Sequence, residues 1–106
     1  MRLFATPTDI SIRRNRSVKI AVFDTYVLRP DGRKMHFDIL VRDQSPDKEL
    51  GTVLAHGCRY LSAKGVPAES LSAQECRFCH TEFPSTPVQQ EINRVGFAII
   101  ELQNCD

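Results

Sequence analysis

VKIAVFDTYVLRPDGRKMHFDILV, residues 18–41, is the strongest structural signal in this chain. Two runs rich in β-branched and aromatic residues flank Pro30-Asp31-Gly32, a combination typical of two strands joined by a tight turn. A three-residue loop suits this spacing, with Gly32 supplying the positive φ of a bulge. The stretch therefore predicts an antiparallel β-hairpin with a fixed register.

That register places polar side chains opposite each other near the turn. Counting back from the loop pairs Tyr26 with His36 and Asp24 with Asp38, so that all four project from one face. Directly opposed carboxylates have Cβ atoms about 4.5 to 5.5 Å apart and repel each other unless they share a proton or a cation. One interpretation is an acid/base or cation site that includes His36. We favour the other, a solvated polar strand end, because strand ends are commonly exposed to water and a one-residue change of register would separate the carboxylates.

The rest of the chain alternates between helical and strand patterns. Ser45-Pro46 predicts a helix start, and Gly65 predicts its end. Thr86-Pro87 and Gly96 bound a second helix in the same way, and a nearly continuous apolar strand follows from Phe97 to Leu102.

Residues 74–83 fit two structures. They form either a strand that completes a right-handed crossover with the last strand, or a short helical turn capped by Ser72 and Glu75. We favour the strand. The prediction is then an α/β (α+β) fold: a single two-layer domain with the order β-β-α-β-α-β and a mixed sheet opened by an N-terminal hairpin.

Residues 1–17 differ from the remainder. Four arginines lie there among small polar residues without periodicity, which favours a loose basic leader over a nucleic-acid arm or a targeting peptide. Translation starting at Val18, if its codon is a GUG start codon, is a third interpretation. We therefore expect a leader over 1–17 and a single α/β domain over 18–106.

The composition argues against nucleic-acid-binding, membrane-spanning and secreted classes of protein. The 106 residues are 42% apolar and 25% charged, with a formal net charge of +1, so no strong field favours nucleic acid as a partner. No apolar run approaches the roughly 20 residues that span a bilayer, and the N-terminus lacks a secretory apolar stretch. We expect a cytoplasmic protein, a monomer or homodimer, that binds neither nucleic acid nor membrane and keeps its cysteines reduced.

Cys76-Arg77-Phe78-Cys79-His80 is the main chemical motif. Two cysteines at this spacing can hold one zinc ion, but a tetrahedral site needs further ligands, and His80, His36 and Cys105 would have to converge through the fold. In a regular strand Cys76 and Cys79 point to opposite faces, so shared ligation requires a bend there. The motif predicts a metal site on Cys76, Cys79, His80, His36 and Cys105, with zinc as the metal.

Three other interpretations of the motif compete with zinc binding. Covalent haem attachment is disfavoured because it takes place outside the cytoplasm. A redox pair of Cys76 and Cys79 lacks the helix N-terminus that usually activates the attacking thiol. Alternatively the cysteines only pack the core and its edge, in which case the protein is a non-enzymatic interaction module.

Three short segments carry a resemblance: residues 24–27 (DTYV), 35–38 (MHFD) and 75–80 (ECRFCH). In this order and spacing they are similar to a family of small bacterial proteins known as domain of unknown function number twenty twenty-four. The likeness covers about Val18 to the C-terminus, and members typically begin just before the first strand, which supports Val18 as the start. The resemblance implies a compact α/β fold and no activity, ligand or catalytic residue. We expect binding of zinc or a small ligand rather than catalysis.

Overall fold

The computed structural model describes residues 1–4 and 19–106. Its elements, in chain order, are β1 (Arg2–Phe4), β2 (Ile20–Leu28), β3 (Lys34–Arg42), α1 (Leu50–Ala63), β4 (Cys76–Glu82), α2 (Thr86–Val95) and β5 (Ala98–Gln103), with short 3₁₀ turns at Ala68–Ser70 and Ala73–Glu75. From β2 onward this is the predicted order β-β-α-β-α-β. Both structures predicted for residues 74–83 are present, since a 3₁₀ turn leads directly into a strand.

The five strands form one sheet in the order β1-β5-β3-β2-β4, and every neighbouring pair is antiparallel. The predicted mixed sheet with a parallel crossover to the last strand is therefore wrong. β4 pairs with β2 at the opposite edge of the sheet from β1, while β5 lies between β1 and β3. The fold is a single α+β domain with an antiparallel sheet.

The hairpin has the predicted register. Asp24 is opposite Asp38 and Tyr26 is opposite His36. The Arg29 N–H donates to the Arg33 carbonyl at 2.8 Å, and Gly32 has φ +90°, as the three-residue loop requires. The predicted strand start at Val18 lies outside the described residues.

The first helix begins later than the sequence predicted. Residues 45–48 form turns, and α1 starts at Leu50. The Ser45 hydroxyl donates to the Glu49 carboxylate at 2.8 Å, and Glu49, which precedes the helix, forms no side-chain cap hydrogen bond. Gly65, at φ +73°, ends this helix as expected. The second helix is capped one residue before the predicted cap, by the Ser85 hydroxyl, and ends at Gly96 with φ +94°.

The two helices pack on opposite faces of the sheet, which differs from the two-layer packing that we predicted. α1 packs on the face formed by alternate residues such as Phe23, Phe37 and Ile39. α2 packs Val88 and Ile92 on the other face, where the contacts are concentrated at one end of the sheet: Ile20, Val22, Leu40 and Ala98. The part of this second face nearer the hairpin loop holds Asp24, Tyr26, His36 and Asp38.

Residues 1–17 were predicted to be loose, and for Arg2–Phe4 the structure shows a strand instead. β1 pairs with β5, the Arg2 Nε–H donates to the Glu101 carboxylate at 2.8 Å, and the Phe4 ring lies 5.1 Å from the Tyr60 ring centre. A three-residue strand carries too little periodicity to be detected from sequence. Residues 5–17 of the predicted leader lie outside the described residues. No helix in the part of the chain that the structure describes is long and apolar enough to cross a membrane.

Candidate functional site

The hairpin brings three side chains of metal-ligating type together. One ligand atom from each of Asp24, His36 and Asp38 lies within 4.8 Å of the other two. We call this set the hairpin cluster. All three residues are partly buried, and the His36 Nε2 is in direct contact with the Asp24 carboxylate. The predicted register therefore brings these three side chains together.

Tyr26 holds the imidazole of the cluster. Its ring stacks on the His36 ring with the centres 4.2 Å apart and the planes 7° from parallel. The Lys34 ammonium lies 5.5 Å from the centre of the Tyr26 ring, on the same strand pair. Stacking fixes the plane of the imidazole, so its nitrogens are held in a defined direction toward the carboxylates.

The carboxyl of Asp38 is a weaker acid than usual, since its pKa is raised. Burial raises the pKa of its carboxyl from 3.8 to about 6, and the neighbouring Asp24 charge adds to the increase. The His36 and His80 rings act in the opposite direction. Within residues 1–4 and 19–106, neither Asp24 nor Asp38 forms an ion pair with a lysine or an arginine. A cation bound between the two carboxylates would relieve the repulsion between them.

Solvent-filled cavities adjoin the cluster on two sides. One, of about 390 Å³, includes Asp24, Tyr26, Lys34 and Arg77 in its wall. The other, of about 380 Å³, includes Asp38 and His80. Both carboxylates of the cluster are consequently open to ions and small molecules.

The cysteines of the CxxC motif lie in different environments. Cys76 is buried on the α1 face, where the Thr25 hydroxyl donates to its sulfur at 3.5 Å, whereas Cys79 is exposed. Burial raises the pKa of the Cys76 thiol, which is the opposite of what an attacking thiolate needs. This environment disfavours Cys76 as a partner in the predicted redox pair.

The other two residues predicted to join the cysteines also lie apart. Cys105 is buried beneath the hairpin, and its thiol points at the backbone carbonyl of His36, at 3.4 Å, not at the imidazole. His80 is on the exposed strand β4 beside Cys79 and Glu82. Among the described residues no cluster of three ligating side chains forms around a cysteine. Of the five metal ligands predicted, only His36 belongs to the cluster that the fold assembles.

Sequence analysis missed the contribution of Glu82. We assigned this residue no role, but its carboxylate lies 2.6 Å from the His80 Nε2. The alternation of side chains along a strand gives residues 80 and 82 the same face, and that spacing was the available signal.

These features define a small antiparallel α+β domain with a polar cluster on the open part of one sheet face. The chain belongs to the family described as Domain of unknown function (DUF2024), whose model matches residues 18–102. The NMR structure of protein NE1680 from Nitrosomonas europaea, a Northeast Structural Genomics Consortium target, is similar. It is 34% identical, with a TM-score of 0.69, and the alignment covers 84% of this chain and 100% of that one. The comparison with curated proteins gave no match.

Proposed function

We propose that the protein binds a divalent metal ion, zinc, through Asp24, His36 and Asp38. The observation that carries this proposal is the convergence of one imidazole and two carboxylates within 4.8 Å on a partly open sheet face. Imidazole nitrogen and carboxylate oxygen are both common zinc ligands, and three protein ligands leave a fourth position for water or another molecule. A histidine in the set favours a first-row transition metal over magnesium or calcium.

The electrostatics of the cluster support a cation rather than a purely structural role. Two carboxylates placed directly opposite each other destabilise the folded state when both are ionised. The raised pKa of Asp38 reflects this cost, to which burial contributes most. A divalent ion would neutralise both charges at once, so binding and folding would be favourably coupled.

The proposed metal site lies at the hairpin cluster and not at the cysteines. Cys76 is enclosed in the core and Cys105 faces a backbone carbonyl, so neither thiol is directed at the hairpin cluster. A site built from Asp24, His36 and Asp38 needs no cysteine. Zinc binding should then tolerate loss of the CxxC motif, and this separates the two locations experimentally.

Isothermal titration of the metal-free protein with zinc tests the proposal. We expect about one ion per chain in the wild type. Asp38→Asn and His36→Gln should each weaken binding at least about 100-fold, since loss of an outer-shell partner alone costs about 10- to 100-fold. The matched control is the double variant Cys79→Ser/His80→Gln, which alters two exposed residues of the motif and should bind zinc like the wild type.

Two results would contradict this assignment. Absence of zinc binding by the wild type would remove the function altogether. Loss of binding in Cys79→Ser/His80→Gln, with retention in Asp38→Asn and His36→Gln, would place the metal on the cysteine motif instead.

A further inference from the structure

Strand β4 contains an irregularity at the cysteine motif. Phe78 pairs with Phe23 and His80 pairs with Val22, which leaves Cys79 as an extra residue in a β-bulge. Adjacent residues of a regular strand point to opposite faces, whereas a bulge redirects side chains. Here it brings the Cys79 sulfur to 3.2 Å from the His80 Nδ1.

The second nitrogen of the same imidazole is also engaged. The His80 Nε2 lies 2.6 Å from a carboxylate oxygen of Glu82. The resulting order is thiol, imidazole, carboxylate, in which a nucleophile contacts a base and a third group orients that base. Neither Asp24, His36 nor Asp38 is part of this arrangement, so it is distinct from the hairpin cluster.

Exposure singles out Cys79 among the thiols. Cys76 and Cys105 are buried and Cys58 is partly buried, while Cys79 is exposed. Room for a co-reactant exists beside its base, because His80 and Glu82 form part of the wall of the 380 Å³ cavity. The apolar part of that wall includes Val22, Leu40, Val88 and Ile100.

We propose that Cys79 is a nucleophilic thiol that forms mixed disulfides with small-molecule disulfides, with His80 as its base and Glu82 as a positioning residue. The Cys79 S–H proton passes to the His80 Nδ1, and the resulting imidazolium is held by Glu82. The thiolate then attacks one sulfur of the disulfide, the S–S bond breaks, and the other half leaves as a thiolate. Electrons balance without a second protein cysteine, so Cys76 takes no part.

Several charged groups act on His80 and will shape the pH dependence. Glu82 lies on the same strand, Asp38 of β3 interacts with His80 electrostatically, and Arg2 of β1 lines the same cavity. The charges of the two carboxylates have the sign that stabilises an imidazolium formed by proton transfer from Cys79.

Reaction with oxidised glutathione tests the proposal, in the presence of a chelator so that the outcome is independent of metal binding. Mass spectrometry gives the rate of adduct formation at each cysteine at pH 6.5. We expect Cys79 to react about fivefold faster in the folded protein than in the urea-unfolded chain, because only the folded protein holds the His80 base against the thiol. His80→Gln should reduce the rate to that of the unfolded chain, and Glu82→Gln should move the pH profile of the rate upward.

The variants are suited to this test because His80 and Glu82 are about half exposed, at 50% and 48% of the side chain, so their replacement leaves the core intact. Equal rates for the wild type and His80→Gln would show that Cys79 is merely accessible, and would overturn the proposal. Preferential modification of Cys58, or no adduct at Cys79 in the folded protein, would overturn it as well.

Discussion

Asp38→Asn should stabilise the metal-free protein, although it removes a ligand of the proposed metal site. The substitution keeps the size of the side chain but abolishes its charge, and thereby relieves the repulsion between Asp38 and Asp24. Burial and that repulsion raise the pKa of Asp38 from 3.8 to about 6. A carboxyl whose pKa is raised by folding contributes stability below its unfolded pKa, and this stability is lost as the pH rises through the folded value.

The expected gain in the free energy of unfolding follows from the raised pKa of Asp38. A rise from 3.8 to about 6 corresponds to at most about 3 kcal/mol in the free energy of unfolding, at about 1.4 kcal/mol per pH unit. Asp38 is only partly buried, and its carboxyl titrates together with that of Asp24. We therefore expect Asp38→Asn to raise the free energy of unfolding by about 1 to 2 kcal/mol. For a domain of this size that gain raises the melting temperature by about 4 to 8 °C.

Thermal unfolding followed by circular dichroism, with chelator present, measures the effect. The gain should be near zero at pH 4, grow through pH 6 and reach its full size by pH 8. Asp43→Asn is the control, because Asp43 pairs with Lys48 at 3.0 Å and its loss should slightly lower stability. Saturating zinc should reverse the order of the variants, since an ion at 100 times its Kd adds about 2.7 kcal/mol to the wild type alone. Parallel pH profiles for wild type and Asp38→Asn would refute the reasoning.

Two further predictions concern the fold. A chain starting at Val18 lacks β1 and its contacts with Glu101 and Tyr60, so the free energy of unfolding in urea should fall by about 1 to 3 kcal/mol; an unchanged urea midpoint would instead support a domain confined to 18–106. Gly57→Ala should destabilise by up to about 1 kcal/mol, because its Cβ would meet Leu71 Cδ2 at 2.7 Å and Ile39 Cδ1 at 3.1 Å, a packing cost that the better helix propensity of alanine offsets in part. Gly51→Ala on the same helix meets nothing within 4 Å and should stabilise by up to about 1 kcal/mol; equal effects of the two substitutions would contradict the steric explanation.

Local signals in the sequence were sufficient for the hairpin and for the number and order of later elements. Pro30-Asp31-Gly32 determines a loop length, and loop length determines which residues face each other, so the pairing of Asp24 with Asp38 could be predicted. The end of α1 could be predicted equally well from the sequence, because Gly65 adopts a positive φ that few other residues tolerate.

Features that depend on distant parts of the chain could not be predicted. The cap predicted at Ser45 does not form, because residues 45–48 are in turns and α1 starts only at Leu50. The partner of β4 depends on long-range packing, which pairs this strand with β2 and not with β5. The metal site predicted on the cysteines required three segments to converge, at His36, at 76–80 and at Cys105, and no spacing in the sequence encodes that. The three residues of the observed cluster, Asp24, His36 and Asp38, are ones that the strand register places on a single face.

The hairpin cluster is built entirely from two strands joined by a three-residue loop. Its geometry depends on which residues of the two strands face each other and on the Tyr26 ring stacked on His36. Both features are contained within residues 24–38. The remaining elements contribute stability and partial burial, but no ligand atom. We therefore expect that the hairpin can be grafted onto an antiparallel strand pair of another protein. With the same loop, the grafted hairpin would keep its three ligand side chains together. Conversely, inserting one residue into the loop of this protein could turn one carboxylate away from the other and erase the site without unfolding the domain.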